Sequence, residues 1–184
     1  TFPIIIALLE PLFLKVKFDP IYILLGLMVL TGLFILTPEF NIESTQVKGI
    51  LFGVFSAFCY AVRILILKQH VAKYNGTMLM FYQTVIITIL LLPTLFFMDI
   101  SGFKSQFPYL LLLAFLTTAI GHSLMLYSLK FFSASTASII SSLQPIFGII
   151  LAFFFLQETP TMRTFWGGSL ILLTVVIESV RSKK

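Results

Sequence analysis

One uninterrupted apolar stretch limits what this chain can fold into. Between Lys130 and Glu158 the sequence has 27 consecutive residues without a formal charge. A helix that crosses a membrane needs about 20 predominantly apolar residues, whereas a helix of a soluble domain keeps a polar face. The first half of the stretch is rich in Ser, Thr and Ala, and the second half, after Gln144-Pro145, is almost wholly apolar. The stretch therefore predicts a membrane-spanning helix whose character changes near its middle.

Composition agrees with a membrane environment. Hydrophobic residues make up 59% of the chain and charged residues only 10%, with a mean hydropathy of +1.07. Soluble domains carry about 25% charged residues, so this chain lacks the polar coat of an aqueous surface. Cys59 is the single cysteine, which excludes an intrachain disulfide, and the sequence has no metal-ligand spacing. Thr1 does not begin a signal peptide, and we expect the first apolar segment to be the end of a longer helix.

Seven apolar segments follow one another along the chain, joined by short polar links. In lipid, a segment on its own satisfies its backbone N–H and C=O groups by forming a helix. We therefore predict an all-α integral membrane protein. The first segment is shorter than the roughly 20 residues that a span requires, which predicts six full transmembrane helices and one truncated helix. The segments are 1–14, 21–37, 49–67, 77–98, 108–129, 133–156 and 161–180.

The basic residues alternate between the two sides of the predicted membrane. Nine of the 12 lie near span ends that fall on one side, and three lie on the other. Basic residues near span ends are retained in the cytoplasm, so the side with nine is predicted to be cytoplasmic and to hold the C-terminus. The cytoplasmic set is Lys15, Lys17, Arg63, Lys68, Lys73, Lys130, Arg181, Lys183 and Lys184, and the opposite set is Lys48, Lys104 and Arg163.

Segments near the two ends of the chain resemble each other in sequence and indicate an internal repeat. Residues 3–33 align without gaps on residues 145–175, with Pro3 on Pro145 and Gly26 on Gly168. Both copies contain a proline, an apolar run, a polar turn and a glycine-bearing span. The turn of the first copy lies on the predicted cytoplasmic side, and the turn of the second lies on the opposite side. Two similar units of opposite orientation indicate an inverted repeat, a feature of many secondary transporters.

With these features the chain resembles the EamA-type permeases of the drug/metabolite transporter superfamily. The resemblance is carried by the run 134–156 with Pro145, by Glu158 at its end, by Gly168 in the last span, and by the short link with Tyr127 and Lys130. That family has ten helices in two inverted five-helix repeats, with both termini in the cytoplasm. The resemblance implies a truncated end of a first repeat (1–38), an inter-repeat loop (39–48), a second repeat of five helices (49–181) and a cytoplasmic tail (182–184).

Polar side chains within the spans are the candidate functional residues, because each is costly in lipid unless it faces protein or water. Tyr60 and Arg63 lie on one face of the third segment. Arg63 either extends to the membrane surface or contacts an anionic group of a substrate. Gln83 either bonds a neighbouring helix or binds substrate. His122 either forms a hydrogen bond as a neutral ring, or contacts substrate and relays a proton.

Prolines mark a further candidate site. Pro145 removes a backbone donor and leaves the carbonyl of Ser141 without its helical partner, which predicts a kink with Ser141 and Gln144 at a substrate site. Pro3 is the aligned position in the first copy and is predicted to kink its own helix. Interrupted helices at corresponding places in two repeats point to a binding site, and an ordinary packing kink is the alternative.

Glu10 is the one acid well inside an apolar segment, and Pro11 follows it directly. An acid in that position is either a proton-coupling site or an interfacial acid beside Lys15.

Two main function classes remain open. A secondary permease would move small organic solutes, such as amino acids or related metabolites, by alternating access. The alternative is an intramembrane enzyme or an accessory helical subunit without transport activity of its own. No catalytic motif is present in the sequence, so we expect no enzyme activity, no cofactor and no metal.

The expected partners are a small-molecule solute and the lipid bilayer, with no nucleic acid. We also expect the missing N-terminal helices, or a dimer partner, to be needed for function. The expected location is the bacterial inner membrane, with several spans and a cytoplasmic C-terminus.

Overall fold

A computed structural model describes residues 2–37, 44–97 and 103–182 of the chain. All regular structure in these ranges is helical. Three short irregular helical segments interrupt or end the α-helices: a 3₁₀ turn at Leu92–Phe96 and π-helical segments at Ala114–His122 and Ala152–Leu156. The α-helices are α1 Phe2–Leu14, α2 Ile21–Leu36, α3 Ser44–Val71, α4 Gly76–Leu91, α5 Phe103–Leu113, α6 Ser123–Ser128, α7 Ala134–Ser141, α8 Gln144–Leu151 and α9 Met162–Arg181.

Five continuous helical stretches are long and apolar enough to cross a membrane. They are Val47–Val71, Gly76–Phe96, Gln106–Ser128, Ala134–Leu156 and Met162–Arg181. The prediction of an all-α integral membrane protein is thereby confirmed. The α1 and α2 helices are apolar but shorter, at 13 and 16 residues, so the predicted count of six full spans and the ten-helix repeat stay predictions.

One helix begins earlier than its predicted apolar segment. Helix α3 begins at Ser44, so residues 44–48 of the predicted inter-repeat loop 39–48 are helical, and the predicted division into repeats stays a prediction. Residues 39–43 lie outside the described residues, as do residue 98 at the end of a predicted span and residues 183–184 of the predicted tail.

By their contacts, the helices form two compact units. The first unit contains Thr1–Ile66 and Phe132–Lys184, and the second contains Leu67–Phe131. In the first unit α2 crosses α9 at two glycines: a Cβ atom on Gly32 would lie 2.9 Å from the carbonyl oxygen of Gly167, and a Cβ on Gly167 would lie 2.7 Å from that of Gly32. Small residues let helix backbones approach closely in a membrane, so these glycines fix the crossing.

The aligned copies of the repeat form two helical hairpins that end alike. Helix α1 ends at Leu14, and the π-helical segment after α8 ends at Leu156. The next residues, Lys15 and Gln157, have φ angles of 54° and 55° and are the two non-glycine residues with positive φ in the described ranges. The gapless alignment places Leu14 on Leu156 and Lys15 on Gln157. The chain therefore leaves both helices through a left-handed residue at the same aligned position.

The long stretch that dominates the sequence is interrupted. Helix α7 ends at Ser141 and α8 begins at Gln144. The two residues between them close 3₁₀-type turns, because the N–H of Ser142 donates to Ile139 at 3.0 Å and that of Leu143 donates to Ile140 at 3.1 Å. Pro145 lies in the first turn of α8, where a proline needs no donor. Pro3 likewise lies in the first turn of α1 as described.

Candidate functional site

A cluster of polar side chains occupies one end of the first unit. It is drawn from α1, α2, α7, α9 and the turns that precede α2 and α7. Its members, which we call the Glu10–Arg181 cluster, are Glu10, Asp19, Tyr22, Ser133, Ser135, Thr136, Glu178 and Arg181.

The carboxylate of Glu10 caps helix α7. One carboxylate oxygen accepts the N–H of Ala134 at 2.7 Å, and the other accepts the N–H of Ser135 at 3.0 Å together with the Ser135 hydroxyl. These N–H groups have no partner within their own helix. Glu10 is only 5% exposed, so a buried negative charge lies at the positive end of a helix dipole. The contact ties α1 to α7.

Hydroxyl groups connect α7 with α2 and α9. Ser133 is the N-cap of α7 and accepts the N–H of Thr136 at 3.0 Å. The Tyr22 hydroxyl lies 3.2 Å from the hydroxyl oxygens of both Ser133 and Thr136. Thr136 donates to the carboxylate of Glu178 at 2.6 Å. Because Glu178 is fully buried, this chain of hydroxyl groups solvates a second charge inside the unit.

Arg181 completes the cluster. Its Nε donates to Glu178 at 2.9 Å, and Nη1 forms a short ion pair with Asp19. Its guanidinium carbon lies 4.3 Å from the centre of the Tyr22 ring, in cation–π geometry. Arginine presents several donors in a planar fork, which lets one side chain bridge two carboxylates and stack on an aromatic ring.

A cavity of about 210 Å³ lies beside the cluster and is lined in part by Glu10, Lys17, Asp19 and Tyr22. Charges of both signs therefore border it. The carboxylates of Glu10, Asp19 and Glu178 each accept at least two hydrogen bonds from within the unit. The arrangement holds four helices together, and it also places ionisable groups next to a small cavity.

The structure brings Tyr60 and Arg63 together on α3. The Arg63 guanidinium carbon lies 5.1 Å from the centre of the Tyr60 ring, and that ring packs against Phe2 at 4.9 Å between ring centres. Both predicted residues are half-buried. The pair places a fixed positive charge on an aromatic face within the first unit.

Ser141 and Gln144 flank the interruption between α7 and α8. The Ser141 hydroxyl donates to the carbonyl of Ala137 at 2.8 Å, and that of Ser142 donates to Ser138 at 3.2 Å. Serine hydroxyls bonded back to their own helix satisfy the segment where its hydrogen-bond ladder breaks. Gln144 is exposed at the start of α8.

The second unit holds Gln83 and His122. Gln83 is half-buried on α4. His122 ends the π-helical segment, and its Nδ1 lies 2.8 Å from the carbonyl oxygen of Thr117. Since a carbonyl only accepts, Nδ1 carries the hydrogen, and in the neutral ring Nε2 is then an acceptor. A cavity of about 590 Å³, lined mainly by apolar side chains with Thr77, Thr84 and Thr118, lies within the same unit.

Several members of the Glu10–Arg181 cluster were missed at the level of sequence. Glu178 was not among the candidate residues, and Arg181 was counted only as a cytoplasmic basic residue. Their spacing of three residues on one helix was the available signal, because residues at i and i+3 are neighbours on a helix surface. Nothing in the sequence indicated that Tyr22, Ser133 and Thr136 would meet them.

Within the described residues, no group of His, Cys, Asp and Glu could hold a metal ion.

The five spanning stretches and the absence of strands in the described ranges define the class: a multi-pass α-helical membrane protein. Residues 47–180 match the model of the EamA-like transporter family. The chain belongs to this family, and the resemblance identified from its sequence is confirmed.

Two curated relatives carry the same description. Both are proteins of Archaeoglobus fulgidus named "Uncharacterized transporter": one is 28% identical over 129 residues, 70% of this chain and 47% of its own length, and the other is 29% identical over 136 residues, 72% of this chain and 44% of its own length. The chain thus spans about half the length of the curated relatives it matches. No solved structure matches it significantly.

Proposed function

We propose that the protein is a secondary transporter of small organic solutes, with amino acids and related metabolites as the substrate class, and that it works by alternating access of two inverted repeats. The observation that carries the proposal is the family match over residues 47–180, which takes in nearly the whole of all five spanning stretches. A transporter needs such a set of helices around a polar path, and no catalytic function is proposed.

The hairpins support the inverted repeat. The alignment found in the sequence pairs the last helical residues, Leu14 and Leu156, and the left-handed residues that follow them, Lys15 and Gln157. A non-glycine residue with positive φ is uncommon, so two of them at aligned positions favour common descent of the hairpins. The relatives' greater length leaves room for the helices that would complete the first repeat or, alternatively, a dimer partner would supply them.

The proposed substrate contacts rest on the polar groups within the spans. The Arg63–Tyr60 pair offers a positive charge to an anionic group of the solute, and Nε2 of His122 offers an acceptor. Gln83, Ser141 and Gln144 are proposed as further polar contacts. Coupling to protons is proposed for Glu10 or His122, and the proposed location is a bacterial inner membrane with the C-terminus in the cytoplasm.

Uptake into proteoliposomes tests this function. The full protein would be reconstituted, and labelled amino acids and drug-like cations would be offered with and without a pH gradient. We expect saturable uptake of at least one class, stimulated by the gradient. Arg63→Gln should reduce uptake of solutes that carry a carboxylate. Arg163→Gln, the matched change on the opposite predicted side of the membrane, should not. A folded protein that takes up nothing from the panel would contradict transport and favour an accessory subunit.

A further inference from the structure

We infer that helix α8 closes onto α9 by forming the same isoleucine–glycine contact that α1 forms with α2. Helix α8 would move as a short rigid segment between two irregular turns. The inference goes beyond the proposed transport and does not depend on it, because its test measures a contact and not an activity.

The first hairpin shows the closed contact. A Cβ atom on Gly26 would lie 2.5 Å from Cγ1 of Ile4 and 3.5 Å from its Cα. The Ile4 side chain therefore sits directly on the bare backbone of Gly26. This is the small-residue packing that draws helices together in lipid.

The second hairpin contains the same two residues at the aligned positions, Ile146 and Gly168, but leaves the contact open. A Cβ atom on Gly168 would meet no atom within 4 Å outside its own helix backbone, and the same holds for Gly148 on α8. No residue of α8 is buried. Space for an isoleucine at Gly168 on α9 thus exists in the same hairpin as Ile146, which is half-buried on α8 and lies beyond contact of a Cβ at that glycine.

Irregular turns bracket α8 and allow it to move. On its N-terminal side the chain makes 3₁₀-type turns at Ser142 and Leu143, next to Pro145. On its C-terminal side lies the π-helical segment Ala152–Leu156. A π turn contains one more residue than an α turn, so converting it to α-helix turns α8 about its own axis. Neither change breaks the internal hydrogen bonds of α8.

The open and closed arrangements differ little in driving force. Lipid tails are as apolar as leucine side chains, so an exposed apolar helix face has no hydrophobic penalty in a membrane. Closure is favoured instead by close packing at the glycine, a modest term of the kind that supports a two-state element. The first hairpin remains closed because Glu10 holds α1 against α7, and the aligned residue of the second hairpin is Ala152.

Disulfide cross-linking in the full protein tests the closure. In membrane vesicles, with Cys59 and any other cysteine replaced by Ser, three pairs would be compared: Ile4→Cys with Gly26→Cys, Ile146→Cys with Gly168→Cys, and Ile150→Cys with Gly168→Cys. Disulfides form only when the two Cα atoms come within about 7 Å. The first pair is the closed reference. The third is the matched control, since Ile150 aligns with Leu8, which is exposed on the closed hairpin.

Thiol labelling before and after reduction, with peptide mass spectrometry, reads the result. Closure predicts loss of thiol labelling for the first two pairs and retained labelling for the third. Retained labelling of the Ile146–Gly168 pair, when the first pair cross-links, overturns the inference. Equal loss from the second and third pairs also overturns it, because it would reflect unspecific collisions. Single-cysteine variants that label fully establish that each substitution leaves the protein folded and its thiol accessible.

Discussion

The α1–α2 and α8–α9 hairpins share a sequence pattern but differ in packing. Both end their first helix at an aligned leucine and turn through a left-handed residue. Only the first hairpin has the isoleucine seated on the glycine. The difference coincides with position 10, where Glu10 binds α7, and with its aligned position 152, where an alanine begins a π-helical segment. The two hairpins therefore share their turn, whereas the closed one is the hairpin whose first helix is anchored to a third helix.

Removal of that anchor should have the largest effect. Glu10→Ala leaves two buried N–H groups at the start of α7 without an acceptor, at a cost of about 3 kcal/mol of unfolding free energy. Thermal unfolding in detergent would show a lower midpoint. Glu158→Ala, an exposed acid in the turn of the second hairpin, is the control and should leave the midpoint unchanged. Equal midpoints for the two variants would contradict an anchoring role for Glu10.

Neighbouring glycines on α9 provide the next test. Gly167→Ala brings a Cβ to 2.7 Å from the carbonyl oxygen of Gly32, and overpacking of this kind costs about 2 kcal/mol. The backbones of α2 and α9 must then separate. Gly168→Ala, one residue along, meets no atom of another element and serves as the matched control. If both variants unfold at the same temperature, the close crossing of α2 and α9 is wrong.

Alanine substitutions at the aligned glycines of the two hairpins, Gly26 and Gly168, distinguish closed from open packing. Gly26→Ala should lower stability by about 1 kcal/mol because Ile4 must shift. Gly168→Ala should raise it by up to about 1 kcal/mol, since alanine favours a helix over glycine. Comparison of unfolding midpoints measures the difference in sign. A loss of similar size at both positions would show that both hairpins are closed under the conditions used.

The smallest effect is expected where the hairpins agree. Lys15→Gly and Gln157→Gly each replace a side chain held at positive φ, which should raise stability by about 1 kcal/mol or less. The two gains should be alike, as measured by unfolding midpoints, if the turns are equivalent. Lys15→Val and Gln157→Val, which cannot easily adopt that conformation, should both be destabilising. A gain at one turn and a loss at the other would argue against equivalent turns.

The sequence was sufficient for the class of fold because a single physical requirement dominates it. Long uncharged runs such as 131–157 form helices in lipid, whatever their neighbours. The alignment of residues 3–33 on residues 145–175 was also visible, since proline and glycine keep their spacing. The start of α3 at Ser44 was not predicted, because polar residues at a membrane surface are compatible with either loop or helix.

The polar cluster was much harder to predict. Glu10 stood out as an acid in an apolar segment, but its partners Ala134 and Ser135 lie 124 and 125 residues further along the chain. They contribute two backbone N–H groups, which every residue except proline possesses, and one serine hydroxyl. Pairing of Tyr22 with Thr136 likewise depends on how α2 and α7 pack. Spacing along a helix could suggest only the local pair Glu178 and Arg181.

The capping of α7 by Glu10 has a consequence for biosynthesis. Residue 10 enters the membrane long before residues 134 and 135 are translated, so its carboxylate has no donor in the nascent chain. An unpaired acid in an apolar segment is costly in lipid, and the first helix should stay near the aqueous surface until α7 arrives. Insertion of the first helix is thereby coupled to synthesis of α7, because a chain that stops before residue 134 lacks the donors that satisfy Glu10.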